Sequence, residues 1–135
     1  MTELLKKSDK LFVYGTLLRD TENPMSAYLK SKSTFVGEGS MRGKLFKVDF
    51  YPGAVFLPEI NQQVFGEIYS ILHPEEVFEV LDTYEGYVPQ APEQSLFTRK
   101  VIPVKTAGET LYCWAYLYNH PTVGLKQLDS GYFLE

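Results

Sequence analysis

Between Ser33 and Asp49 the chain reads as one long β-rich run, yet Gly37, Gly39 and Gly43 stand inside it. A glycine inside a strand pattern offers nothing to pack and marks a bulge, a tight corner or a close backbone approach. Three of them in one run suit a sheet that must bend over a short length, as a small barrel does. The side chains agree: 10 Tyr, 9 Phe and 1 Trp make 15% of the chain, and aromatic residues favour the pleated sheet.

Other strand signals surround that run. Lys10-Leu11-Phe12-Val13-Tyr14 is a short apolar segment closed by Gly15-Thr16. Tyr51-Pro52-Gly53 reads as a turn before a short buried strand over 54–57. From Gln63 to Leu72 the pattern alternates, with Phe65, Glu67, Tyr69 and Ile71 on one face and Val64, Gly66, Ile68 and Leu72 on the other. Leu96 to Thr106 and Leu111 to Tyr118 read as a strand pair turned at Ala107-Gly108. Two helices interrupt this. A short one follows Asn23-Pro24, an N-cap residue before a proline. The stronger one opens at Pro74-Glu75-Glu76, carries Val77, Phe78, Val80, Leu81 and Tyr84 at helical period, and meets a natural C′ residue in Gly86. Together these elements predict one α+β domain over residues 1–135, a small mixed β-barrel of about six strands with one or two packed helices. The segment after Asn119 gives no element.

Charge and motifs exclude several function classes. Thirteen basic against seventeen acidic residues leave a net charge of −4, which builds no field for a phosphate backbone, so no nucleic-acid partner is expected. The single cysteine, Cys113, forms no intrachain disulfide, and no Cys/His spacing fits a zinc site. Neither a signal peptide nor an apolar run of roughly 18 residues is present, so the expectation is a cytoplasmic protein with no membrane partner. There is no Gly-x-Ser-x-Gly elbow and no phosphate loop. Gly37-Glu38-Gly39 starts like a dinucleotide fingerprint, but Arg42 stands at the third glycine and no helix follows. His73 and His120 each precede a proline without a triad partner and read as surface or capping residues. No feature sets an oligomeric state.

Two places remain where chemistry can be carried. Phe78, Leu81 and Glu85 stand at i, i+3 and i+7 of the second helix, which points the Glu85 carboxyl along the apolar stripe. It also sits in the last turn, where the helix dipole disfavours negative charge. Both effects raise its pKa, and a value of about 6 to 7 would make it a proton acceptor near neutrality. The competing reading is a helix that frays before Glu85 and turns it to solvent. Asp82 lies at the margin of the stripe and is expected in water. The second place is Tyr14-Gly15-Thr16-Leu17, where a strand running into a glycine turn either leaves backbone amides convergent on an anion or makes a plain turn. Arg99 shares a strand face with Phe97 and Val101, and Glu67 one with Phe65 and Tyr69; if both faces point inward, the expectation is a structural ion pair between them. Tyr116 is a core residue within reach of a pocket.

Taken in order, these segments carry a resemblance. Phe12-Val13-Tyr14-Gly15-Thr16-Leu17 resembles the opening signature of the γ-glutamylcyclotransferase-like superfamily. Gly43-Lys44-Leu45-Phe46, Tyr51-Pro52-Gly53-Ala54 and Val64-Phe65-Gly66-Glu67-Ile68-Tyr69 follow in sequence. Leu81-Asp82-Thr83-Tyr84-Glu85-Gly86-Tyr87 then looks like the catalytic segment, and Phe97-Thr98-Arg99 like the downstream strand, with Phe97 where a tyrosine is common. Within the superfamily the chain is most similar to the γ-glutamylamine cyclotransferase and AIG2-like branch. The resemblance implies a barrel of that family's fold and a small-molecule γ-glutamyl substrate closed to 5-oxoproline with release of an amine. It also implies Glu85 as general acid/base, Tyr14, Gly15, Thr16 and Leu17 as the substrate-binding loop, and no metal or cofactor. Two rivals stay open: a module that binds a small metabolite in the same pocket without turning it over, and a carboxylate-pair hydrolase using Asp82 and Glu85.

Overall fold

Alternation of apolar side chains in the short run at Leu11 to Tyr14 sends its residues to two different cores, and the architecture is arranged around that fact. The fold is described from a computed structural model for residues 8–18 and 23–133. Its strands are β1 (Lys10–Val13), β2 (Ser33–Lys47), β3 (Pro52–Phe56), β4 (Gln63–Ile71), β5 (Phe97–Thr106), β6 (Glu109–Tyr118) and β7 (Lys126–Gln127). The helices are α1 (Pro24–Ser31) and α2 (Pro74–Tyr84), with a single 3₁₀ turn at Pro92–Gln94. Strands β2-β4-β1-β6-β5 are neighbours in that order, and pairing of Ser40 with Lys105 brings β5 back to β2. The result is a closed five-stranded barrel in which β1 and β6 run parallel and every other pair is antiparallel. Strands β3 and β7 extend from the far end of β2.

The barrel interior is filled by Phe12 of β1, Met41 of β2, Val64 and Ile68 of β4, Val104 of β5 and Cys113 of β6, all buried. On the outer side, Leu11 and Val13 pack with Leu29 of α1 and with Val77, Phe78 and Leu81 of α2. Strand β1 is therefore covered on both faces, which is why its sequence is continuously apolar.

The expected mixed barrel with two helices is the observed one. The glycine-rich run is a single strand of 15 residues whose register shifts between Phe35 and Gly37. Ala107 and Gly108 both take positive φ, 47° and 81°, as a two-residue hairpin turn requires. The described residues form seven strands against the expected about six, the seventh being β7 in the segment after Asn119, whose weak signals gave no element. One reading needs correction: Pro52 and Gly53, read as part of a turn, are the start of β3, with Gly53 paired to Phe46, and Tyr51 lies in the bend before it. Proline is tolerated there because β3 is an edge strand, and Gly53 lies so close under Tyr118 that a Cβ would come within 2.8 Å of that residue.

Gly66 holds the end of β1 in place. A methyl group on it would meet the carbonyl oxygen of Val13 at 2.1 Å, a backbone atom that cannot step aside. Gly66→Ala is expected to lower stability by about 2 kcal/mol or more in urea unfolding, through forced separation of β4 from β1. Gly108→Ala, at positive φ but with nothing within 4 Å, should cost only about 1 kcal/mol.

Candidate active site

Helix α2 ends where its sequence says it should. Glu85 is the C-cap, and Gly86 follows at φ 69°. The amide of Gly86 donates to the carbonyl of Thr83, and that of Tyr87 to the carbonyl of Asp82, the paired closure of a Schellman motif. The motif fixes Glu85 at the helix terminus and turns the chain away behind it. The helix does stop before Glu85, as the competing reading held, yet the side chain is not released to bulk water. It lines a cavity of about 160 Å³ together with residues 14–17, Tyr51 and Phe97.

The other wall is the loop after β1. Its carbonyls are occupied: that of Gly15 accepts from the amide of Leu18 at 3.1 Å, that of Thr16 from Asn23 Nδ2, and that of Leu18 from Ser26 Oγ at 2.9 Å. Asn23 Oδ1 caps α1 by accepting from the amide of Ser26. Among the described residues the amides of Gly15 and Leu17 have no acceptor. The loop is also tied to α2, since Thr16 Oγ1 and the Tyr84 hydroxyl lie 2.9 Å apart. Tyr14 turns its side chain into the barrel, where its hydroxyl donates to the carbonyl of Tyr116 at 2.6 Å and accepts from the amide of Ala54 at 3.0 Å. Burial, and secondarily the charge of Glu85, push that phenol well above its ordinary value.

Among the described residues nothing neutralises Glu85: its carboxyl makes no hydrogen bond and no ion pair with any of them. Burial, and after it the like charge of Asp82, push its pKa from 4.5 up to about 8. Asp82 itself is paired with Arg99: Nε donates to Oδ1 at 2.8 Å and Nη2 to Oδ2 at 3.2 Å. Arg99 lies between the rings of Phe78 and Trp114, 4.4 Å from each centroid. Tyr116 also donates to Asp82 Oδ1, at 2.6 Å. Among the described residues no group of three or more His, Cys, Asp or Glu is placed to hold a metal ion, and no helix is long and apolar enough to cross a membrane.

Comparison with known proteins gives this pocket a context. The family described as gamma-glutamyl cyclotransferase, AIG2-like, matches residues 11–135. The chain belongs to that family. The gamma-glutamylcyclotransferase family protein YtfP of Escherichia coli is 28% identical over 129 residues, covering 93% of this chain and 96% of YtfP. Its solution structure superposes with a TM-score of 0.65 at 27% identity. YkqA of Bacillus subtilis superposes with a TM-score of 0.69 at 22% identity over 93% of this chain; the chain spans 39% of YkqA. An AIG2-like protein of Mus musculus gives 0.63 at 23% identity, over 84% of this chain and 79% of its own. The last two likenesses concern the fold.

In this member of the AIG2-like family, the residues singled out from the sequence meet: Glu85 and Tyr14, Gly15, Thr16 and Leu17 share one cavity. Two side-chain assignments are corrected. Asp82 is 8% exposed rather than in water, because α2 lays two adjacent ridges on the sheet and Asp82 continues the one begun by Phe78. Arg99 pairs with Asp82 and not with Glu67, because β1 and β6 stand between β4 and β5 in the barrel. Glu67 instead accepts from the Tyr69 hydroxyl. Sequence reasoning missed Tyr51, Tyr84 and Phe97 as pocket walls. Their signal was the placement of aromatic residues at element ends within the quoted motifs.

The elevated Glu85 pKa has a stability consequence whose sign is definite. Between about 4.5 and 8 the folded protein binds more protons than the unfolded chain, so stability falls as pH rises through that window. Glu85→Gln removes the titration. Thermal unfolding should give the variant a melting temperature a few degrees above wild type at pH 9, with the two converging at pH 4.

Proposed function

We propose that the protein is a cofactor-free γ-glutamyl cyclotransferase, built as one domain and working in the cytoplasm. It converts an N-γ-glutamyl amine or amino acid to 5-oxoproline and a free amine. The observation that carries this reading is the meeting, in one cavity, of the weakly acidic Glu85 with the loop Tyr14 to Leu17; among the described residues the Glu85 carboxyl and the amides of Gly15 and Leu17 have no partner. Such a site complements a molecule that presents a cation at one point and an anion at another.

The α-carboxylate of the substrate accepts from the loop amides, where convergent N–H groups favour negative charge. Its α-ammonium approaches Glu85. An opposite charge at that distance lowers the Glu85 pKa, so the carboxyl ionises as substrate binds and then takes a proton from the ammonium. The freed amine attacks the γ-carbonyl carbon. Five-membered ring closure is intramolecular, and holding the chain bent supplies much of the rate. As the bond from the γ-carbon to the leaving nitrogen breaks, protonated Glu85 gives its proton to that nitrogen, and the carboxylate so regenerated takes a second proton from the ring nitrogen and passes it to the departing amine. Of the three protons on the original ammonium, one stays on the ring nitrogen and two leave with the amine, which departs as an ammonium. Membership of the AIG2-like family supports the same reaction class.

Purified protein incubated with a panel of γ-glutamyl amines and amino acids is expected to release 5-oxoproline, and Glu85→Gln to lower kcat by about 10²–10⁴. With free enzyme and substrate, kcat/KM should rise with pH through about 8, the Glu85 value, and this limb should vanish in the variant. Equal turnover by both proteins rejects Glu85 as the base. Saturable binding without product across the panel would identify a non-catalytic binding module instead.

A further inference from the structure

The wall of the Glu85 cavity changes from floor to mouth. Its floor includes the buried side chains of Phe12, Val13 and Phe97. Of the described residues that line it only Phe50 and Tyr84 are exposed, by 79% and 42%, so the opening lies at these two rings. Tyr84 is already engaged, its hydroxyl 2.9 Å from Thr16 Oγ1. Phe50 stands in the turn 48–51 between β2 and β3, where the Tyr51 carbonyl accepts from the amides of Val48 at 3.1 Å and Asp49 at 3.2 Å. The turn sets the Phe50 ring edge-on to Tyr51, with centroids 5.1 Å apart, and Tyr51 packs on Phe97 at 6.0 Å. A lone exposed phenylalanine is ordinary on a protein surface. One fixed by a closed turn at a cavity mouth, and continuous with two rings of the cavity wall, is a platform for an apolar group.

Size decides what reaches that platform. The cavity, about 160 Å³, is close to the roughly 150 Å³ that encloses one benzene molecule. A γ-glutamyl group is bulkier than benzene and takes up this space, so the amine it carries must lie at the mouth. Charge narrows the amine. Among the described residues no Lys or Arg lines the cavity, so an anionic tail finds no cation there. Asp49, beside Phe50 in the turn, is exposed, and a carboxylate in water attracts a cationic tail only weakly. We propose that Phe50 sets the specificity of the site, and that the favoured substrates are γ-glutamyl derivatives of arylalkyl amines, whose ring packs on Phe50 and Tyr51. The identity of the leaving group rests on the cyclotransferase reading; the docking of an aromatic ring at the mouth does not. Aromatic rings in contact gain more than the area they remove from water, and the closed turn has already ordered the Phe50 backbone, so little further ordering opposes binding.

The test compares γ-glutamyl benzylamide, propylamide and aminopentylamide as substrates of wild type, Phe50→Ala and Phe50→Tyr, following 5-oxoproline release. Wild type should favour the benzylamide over the propylamide in kcat/KM by about tenfold. Phe50→Ala should bring that ratio close to one, and Phe50→Tyr, which restores a ring, should keep it. Comparing the ratio between proteins cancels the different basicities of the leaving amines. The aminopentylamide, with a cation in place of a ring, should be a poorer substrate of wild type than the benzylamide. A wild-type ratio near one, a ratio that Phe50→Ala leaves unchanged, or a preference for the aminopentylamide overturns the proposal. Should none of the compounds yield 5-oxoproline, the cyclotransferase reading fails for them, and calorimetric Kd values for the same compounds judge the mouth by itself. Binding of the benzylamide about tenfold tighter than the propylamide, with the difference lost in Phe50→Ala, then upholds ring docking; equal affinities overturn it.

Discussion

Closure of the barrel depends on β2. This one strand bonds to β3, β4, β5 and β7 along its length, which a straight ribbon could not do. The register shift after Phe35 and the glycines that follow let it bend from one neighbour to the next. Where β2 crosses β5, Gly39 lets the strands close up: a Cβ there would come within 3.0 Å of Val104, Ile68 and the Lys105 carbonyl. With the sheet closed, the ends of β1, β5 and β6 are brought to one region, and the loop after β1 faces the end of α2.

That arrangement explains why a carboxylate so poorly compensated can exist. Among the described residues Glu85 has no side-chain partner of its own. It is held by the Schellman closure behind it, by Tyr84 bonded across to Thr16, and by the packing of Leu81 against the outer core. The surrounding structure fixes the position of the residue while leaving its carboxyl without a partner, and burial then favours the protonated form.

Much of this is legible in the sequence, and the reasons differ by feature. The limits of α2 are readable because proline, acids and glycine act locally on a backbone. The loop at Tyr14 to Leu17 and the acid at Glu85 are readable as separate candidates through spacing and family resemblance. Their meeting in one cavity depends on topology. The true partners of Asp82 and Arg99 are hidden for the same reason. Which strand lies beside which is set by long-range closure, and no local pattern records that β1 and β6 separate Glu67 from Arg99. Strand β7 leaves no trace because two residues pairing with the end of β2 carry no periodicity.

The parallel contact between β1 and β6 has a consequence for biogenesis. Leu11 is in register with Trp114, and the Tyr14 hydroxyl reaches the Tyr116 carbonyl, a partner 102 positions later in the chain. During synthesis the first strand therefore leaves the ribosome long before the segment that completes its bed. Such distant pairing is slow to form and leaves apolar side chains and an unpaired strand edge exposed meanwhile. Until the carboxy-terminal third of the polypeptide emerges, Leu11, Phe12 and Val13 have one flank without a neighbour, so assembly of the pocket is among the last events in maturation.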